Sequence, residues 1–389
     1  MSVRHHAVHL AAVGVVAASA LACSKRAPVP KDRAAPSSAS SSLVPSPAGS
    51  VAPLGRLATP TAFELTASAA GATLVWAPAE RTTAALFKRE LDASGAFQAP
   101  TDVAVGSANV SGEVADLALS WVGARLGLAW LERSGATARV RATWAGASSA
   151  PFELGAAWAG PRSSRGNVVM AARGDKGLVF ARGGEAACIE LGRHGCFGFG
   201  FHELDASHAV ATGLPMSVPV PCTDNSAALA VVGERFHYGV CTETAGRPVT
   251  TLFSIQHEPE YARADPLLEG CTPAGTFVWH GAAWLVGDCA GGRRAARIGE
   301  DPQEFLDLHG SRLECRSGRM RIRAPSLDLP LDEPRAGLAS LLPADVAQAG
   351  ARAVWAGRAL LIATSFAEQL RLTRRTCNGD RIETSTLLP

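Results

Sequence analysis

Between residues 115 and 144, short bursts of apolar and alternating residues are cut by glycine-containing turns. Leu117-Ala118-Leu119-Ser120-Trp121 is followed by Gly123-Ala124-Arg125, an apolar run over 126–131, Arg133-Ser134-Gly135 and a further strand-like run over 137–144. Runs of this length joined by tight turns predict an antiparallel meander. The pattern returns at 228–254, where Ala228-Leu229-Ala230-Val231-Val232 leads through Gly233-Glu234-Arg235 into 236–241 and, after Gly246, into 249–254. Two more copies begin at Phe277-Val278-Trp279-His280-Gly281 and Ala353-Val354-Trp355-Ala356-Gly357.

Trp121, Trp279 and Trp355 each stand two residues before a glycine, which gives three copies one register. Weaker copies start at Leu74-Val75-Trp76, at Val168-Val169-Met170 and near Leu313-Glu314-Cys315, where Met320 and Ile322 alternate with Arg319, Arg321 and Arg323. Unit starts near 74, 119, 168, 229, 277, 316 and 354 give a mean period of about 47 residues, the size of a four-stranded propeller blade. The expected fold is therefore all-β: one propeller over residues 58–389 with about seven four-stranded blades, six being the alternative count. A pair of β-sandwich domains is the competing architecture. Only 337–349, with Leu338-Ala339-Ser340-Leu341-Leu342 cut by Pro343, has helix-forming character.

The N-terminal pattern is of another kind. A basic start containing Arg4 precedes an apolar run over 8–22, which is shorter than the ~20 residues a membrane-spanning helix needs. It ends in Ser19-Ala20-Leu21-Ala22-Cys23, which resembles the lipobox of bacterial lipoproteins, with residues 1–22 as signal peptide and Cys23 as the acylated residue. Residues 26–53 hold six Pro, seven Ser and six Ala and no aromatic residue, so 23–57 is expected to be a disordered tether. Ser24 after the lipidated cysteine resembles the outer-membrane sorting class. Together, the lipobox and the blade-like repeats resemble propeller-like lipoproteins of GC-rich Gram-negative bacteria. That resemblance implies an extracytoplasmic, membrane-anchored protein facing periplasm or cell surface, and it brings no activity with it.

Nine cysteines sharpen this picture. With Cys23 set aside, eight remain in an oxidising compartment, where disulfides are the default. Cys222 and Cys241 bracket a two-strand unit as Cys271 and Cys289 do one unit later, which suggests Cys222–Cys241 and Cys271–Cys289. Cys188 and Cys196 flank a short Gly-centred loop, and elimination leaves Cys315–Cys377. A zinc site built from Cys188, His194, Cys196 and His202 is the alternative for one pair.

Charge and motifs restrict function. With 37 basic against 35 acidic residues, the chain lacks the basic excess of a nucleic-acid binder, and from position 34 onward the balance is 32 to 34. No H-E-x-x-H, G-x-S-x-G or S-x-x-K pattern occurs, so no catalytic residue, cofactor or metal is assigned. Two classes remain: a binding or scaffold module for protein or glycan partners, and a propeller-type hydrolase or lyase acting on extracellular polysaccharide. The second would need carboxylates from several blades, with Glu203, Asp205, Asp224, Asp265 and Asp288 as candidates.

Overall fold

The computed structural model describes residues 60–388 except 79–85, 99–102, 105–111, 135–136, 148–149, 158–167, 183–195, 206–208, 212–215, 220–226, 233–234, 245, 256–262, 300–303, 344, 348–349 and 367–368. The segment expected to be a signal, Cys23 and the expected tether all lie outside this range. Among the described residues, twenty-eight strands pair antiparallel into seven separate sheets, in chain order. These are blades 1 to 7: 60–104, 113–157, 168–219, 227–269, 271–307, 312–330 and 352–388. First strands of consecutive blades are neighbours from blade 1 to blade 5, and the first strand of blade 7 neighbours that of blade 1. The chain thus closes on itself as a seven-bladed β-propeller, not as two sandwiches.

The second strand of each regular blade is the hydrophobic spine. Leu128, Ala129, Trp130 and Leu131 in blade 2 are all fully buried, as are Leu178 and Val179 in blade 3 and Leu360, Leu361 and Ala363 in blade 7. Consecutive buried residues point to opposite faces of a strand, so both faces are covered by neighbouring blades, as in a sheet packed on two sides. The W-x-G register has a backbone cause. Gly123, Gly281 and Gly357 adopt φ of +59°, +73° and +108° in the first hairpins of blades 2, 5 and 7, a region open to glycine at no steric cost.

Several expectations need correction. Leu74-Val75-Trp76 belongs to a second strand, Gly71–Pro78; blade 1 begins at Pro60–Ser68. Not all blades are four-stranded. In blade 3 the outer edge of Cys196–Leu204 is shared by two short strands, Ala209–Ala211 and Met216–Pro219. Blade 6 has three strands, Arg312–Arg316, Arg319–Ala324 and Leu327–Pro330. Of the helix expected over 337–349, a single 3-10 turn forms at Leu338–Leu341. Pro343 then ends it, because its ring cannot continue a helical backbone.

That turn takes the place of a first strand in blade 6, touching Cys271–Trp279 of blade 5 and Arg352–Trp355 of blade 7. Arg293 fastens it by donating to the carbonyls of Ser340 (2.7 Å) and Leu342 (3.1 Å). Strand Arg312–Arg316 lies instead beside the outermost strand of blade 7, Arg381–Leu388. Cys315–Cys377 spans this seam with Cα atoms 5.7 Å apart, and Gly318 N–H donates to the Gly379 carbonyl. Cys271–Cys289 joins the ends of the first hairpin in blade 5, where the two residues are direct cross-strand partners. Cys241 is disulfide-bonded as well, while Cys188, Cys222 and the Cys196 side chain lie outside the description.

Among the described residues no strand is exchanged between the chain ends: the described strands of blade 1 are all N-terminal and those of blade 7 all C-terminal. Packing must therefore close the ring. Phe63, Leu65, Leu74 and Trp76 of blade 1 form one buried cluster with Val354, Leu361, Leu370 and Leu372 of blade 7. Arg358 N–H adds a hydrogen bond to the Ala93 carbonyl at 2.9 Å.

Candidate functional site

Where the first strands of blades 7, 1 and 2 meet, three charged residues interrupt apolar sequence: Arg352, Glu64 and Asp116. A charge in such a strand survives only if paired or hydrogen-bonded. Arg352 Nε donates to Glu64 Oε2 at 2.5 Å. Asp116 follows a bulge at Val114/Asp116, a device that re-aims a side chain. Its Oδ1 accepts from its neighbour Leu117 N–H at 3.0 Å, and its Oδ2 accepts from Val168 N–H of blade 3 at 3.2 Å.

The electrostatics follow from depth. Burial pushes the Asp116 carboxyl up to about 6, against the Arg352 charge and the two backbone N–H groups that favour the carboxylate; Glu64 pushes it the same way as burial. For Arg352, burial opposes the charged form, but Glu64 and then Asp116 outweigh it and hold the guanidinium above its usual range. Two carboxylates around one cation form a largely buried knot, with Asp116 at its buried end, that links blades 7, 1, 2 and 3. Both Asp116 oxygens are already used by backbone donors, so the knot acts chiefly as a clasp.

Of the carboxylates singled out from sequence, the three that are described, Glu203, Asp205 and Asp288, are not gathered into it. Glu203, on the third strand of blade 3, forms an ion pair with Lys176 of the adjacent strand. Asp205 offers its backbone carbonyl to the Trp144 indole N–H at 2.6 Å. Asp288 pairs with Arg293 at 2.6 Å and is half exposed. Asp224 and the Asp265 side chain lie outside the described residues, as do Cys188, His194 and the Cys196 side chain of the alternative zinc set. Among the described residues no three His, Cys, Asp or Glu side chains form a group able to hold a metal ion.

Two imidazoles are held neutral by their surroundings. Burial lowers His202 to about 4; burial and the nearby Arg235 charge lower His237 to about 4, with Nδ1 of His237 2.9 Å from the Ser254 hydroxyl. Sequence reasoning missed Glu64, Asp116 and Arg352 because they are far apart in the chain. The available signal was a charge inside or beside an apolar first strand, in PTAFELTAS, EVADLALSWV and RAVW.

The fold and its clasp define an all-β, seven-bladed propeller. No family model matches the sequence, and no curated protein is similar to it in sequence. Several solved structures are similar in fold. A Mycobacterium tuberculosis puromycin-hydrolyzing peptidase has a TM-score of 0.44 and 11% identity over 87% of this chain and 55% of its own. The β-propeller domain of the Trilobed protease from Pyrococcus furiosus, described as having an open velcro topology, has a TM-score of 0.45 and 8% identity over 85% and 97%. The α-L-arabinofuranosidase from Lactobacillus brevis has a TM-score of 0.34 and 9% identity over 66% and 91%. The chain spans about half the length of the peptidase. At such identities the likeness concerns the fold alone, and the blade count rests on the strand pairing.

Proposed function

We propose that this protein is a membrane-anchored extracytoplasmic binding module, a lipoprotein of the outer membrane that presents a rigid propeller to protein or glycan partners at the end of a flexible tether. The observation that carries the proposal is the pair of disulfides, Cys271–Cys289 and Cys315–Cys377, in a chain whose first 23 residues read as signal and lipobox. Such bridges persist where thiols are oxidised and are rare in a reducing cytosol. Loops carried on a rigid ring are suited to recognition, and ~30 tether residues would give an r.m.s. reach on the order of 30 Å. The test is fractionation with metabolic palmitate labelling. The native chain should take label and sediment with outer membranes, and Cys23→Ser should lose both properties. A Cys23→Ser protein that stays labelled and sediments like the native chain would overturn the anchor.

A second reading, a propeller-type hydrolase or lyase acting on extracellular polysaccharide, draws on Asp116. A carboxyl ionising near pH 6 is in the range useful to a general acid, and Glu64 from the next blade would be the second carboxylate. The backbone donors that occupy both Asp116 oxygens weigh against it. Polysaccharide cleavage abolished by Asp116→Asn would favour this reading.

A further inference from the structure

The three-stranded sheet of blade 6 has one apolar and one solvent face. Cys315, Met320, Ile322, Leu327 and Leu329 are buried against residues from blades 5 and 7. The opposite face carries Arg312, Glu314, Arg316, Arg319, Arg321, Arg323 and Asp328, most of them exposed. Cross-strand partners lie on the same face of a sheet, and the register places Arg312 opposite Arg323 and Arg316 opposite Arg319.

Three salt bridges use the two acids of this face: Arg312 and Arg323 reach Glu314, and Arg321 reaches Asp328. Neither Arg316 nor Arg319 has a carboxylate partner among the described residues. Their turn meets the last hairpin of blade 7, where Ser317 N–H donates to Asp380 Oδ1 at 2.6 Å and Arg381 is exposed. The Cys315–Cys377 bridge holds this junction from beneath.

A genome-wide preference for arginine does not explain this arrangement. Segments 312–330 and 352–388 carry eleven arginines against five carboxylates, a balance of +6. The rest of the chain from residue 34 carries 21 basic and 29 acidic residues, a balance of −8. A solvated face that served only solubility would intersperse the signs, because like charges directly opposite each other destabilise a sheet. Here one arginine pair, Arg312 and Arg323, shares Glu314, and the other, Arg316 and Arg319, is retained without a carboxylate partner among the described residues on a covalently braced surface.

Guanidinium groups recognise carboxylate, sulfate and phosphate oxygens bidentately. Arg319, Arg321 and Arg323 recur at every second residue, about 6.7 Å apart, with Arg321 and Arg323 sharing their charge with Asp328 and Glu314, and this spacing suits an extended polymer better than a compact anion. No aromatic side chain interleaves with them, which disfavours single-stranded nucleic acid, whose bases need stacking platforms. We infer that the solvent face of blade 6, centred on Arg316 and Arg319 and extended by Arg381, is a binding surface for an anionic polysaccharide. The inference rests on the proposed binding role and names the ligand chemistry and the surface.

The test uses the full chain with polygalacturonate and dextran sulfate as probes, neutral dextran and double-stranded DNA as comparisons, and Arg316→Glu/Arg319→Glu as variant. Arg139→Glu/Arg247→Glu, both exposed and in other blades, makes the same change in net charge. At low ionic strength the native chain should bind at least one anionic glycan, and bind it at least tenfold better than neutral dextran or DNA. The blade 6 variant should lose tenfold or more and the control less than twofold. Circular dichroism should show both variants folded. Absence of glycan binding, equal loss in the two variants, or DNA binding as tight as glycan binding would overturn the surface. Membrane fractionation reads the anchor independently, so a soluble chain that still binds glycan through Arg316 and Arg319 would overturn only the compartment.

Discussion

Blades 1 and 2 contain no cysteine, whereas blades 5, 6 and 7 carry two disulfides, and the two regions answer one problem differently. A ring whose described strands are not exchanged between its ends must be held at every seam by what each blade presents to the next. The early blades use volume and buried charge: Trp130 is fully buried, and the Glu64–Arg352 pair with Asp116 ties four blades at the closure. The late blades use covalent bonds and a substitution, in which a 3-10 turn replaces a strand and a three-stranded sheet covers the gap from outside. A sheet with only one face to bury has the other free to carry charge, and the irregular blade sets a row of arginines on that face.

Perturbing each region should separate these solutions. Trp130→Ala should be the most damaging single change, costing about 3–5 kcal/mol through lost burial and a cavity that close-packed neighbours cannot fill, read as a lowered denaturant midpoint. The double substitution Cys315→Ser/Cys377→Ser should cost up to about 4 kcal/mol in the chain-entropy model for a 62-residue separation. That loss should already be present in native protein treated with reductant. Glu64→Gln should cost about 2–3 kcal/mol, below the penalty for breaking a fully buried pair, because the Glu64 and Arg352 side chains keep 17% and 24% exposure. Pairing Glu64→Gln with Arg352→Met should recover part of that loss, since the stranded cation is then removed.

The remaining expected effect concerns pH. His202 and His237 ionise near 4 in the fold and near 6.5 when unfolded. Their contribution is therefore complete above about pH 6.5 and is lost as pH falls toward 4. Asp116, raised to about 6, works in the opposite sense: its contribution is present below its unfolded value of 3.8 and lost as pH rises through about 6. Two histidines against one aspartate should leave a net loss of stability between pH 6.5 and 4. Thermal melts across that range should show a steeper loss for Asp116→Asn and a flatter one for His237→Asn.

Much of this architecture was legible in sequence, and the failures have physical causes. The first hairpins of blades 2, 5 and 7 announced themselves because only a residue tolerant of positive φ fits after Trp121, Trp279 and Trp355. Alternation at Arg319, Met320, Arg321 and Ile322 marked blade 6 correctly as strand, yet could not show that both neighbouring blades pack on the same side of it. Blade 1 was entered one strand late because Leu74-Val75-Trp76 is a stronger apolar run than Phe63-Glu64-Leu65-Thr66. Glu64 is what weakens that signal, and its partner Arg352 stands 288 positions away, beyond the reach of any local pattern.

Hydrogen exchange on the oxidised and the reduced full chain at neutral pH tests most directly the claim that the ring is held in two ways. Reduction should raise exchange in Cys271–Trp279, Ala282–Cys289, Arg312–Arg316 and Gln369–Asn378, while Gly71–Pro78, Glu113–Val122 and Arg125–Ser134 keep their protection. Equal loss in the blades without cysteine, or no change in the bridged strands, would contradict it.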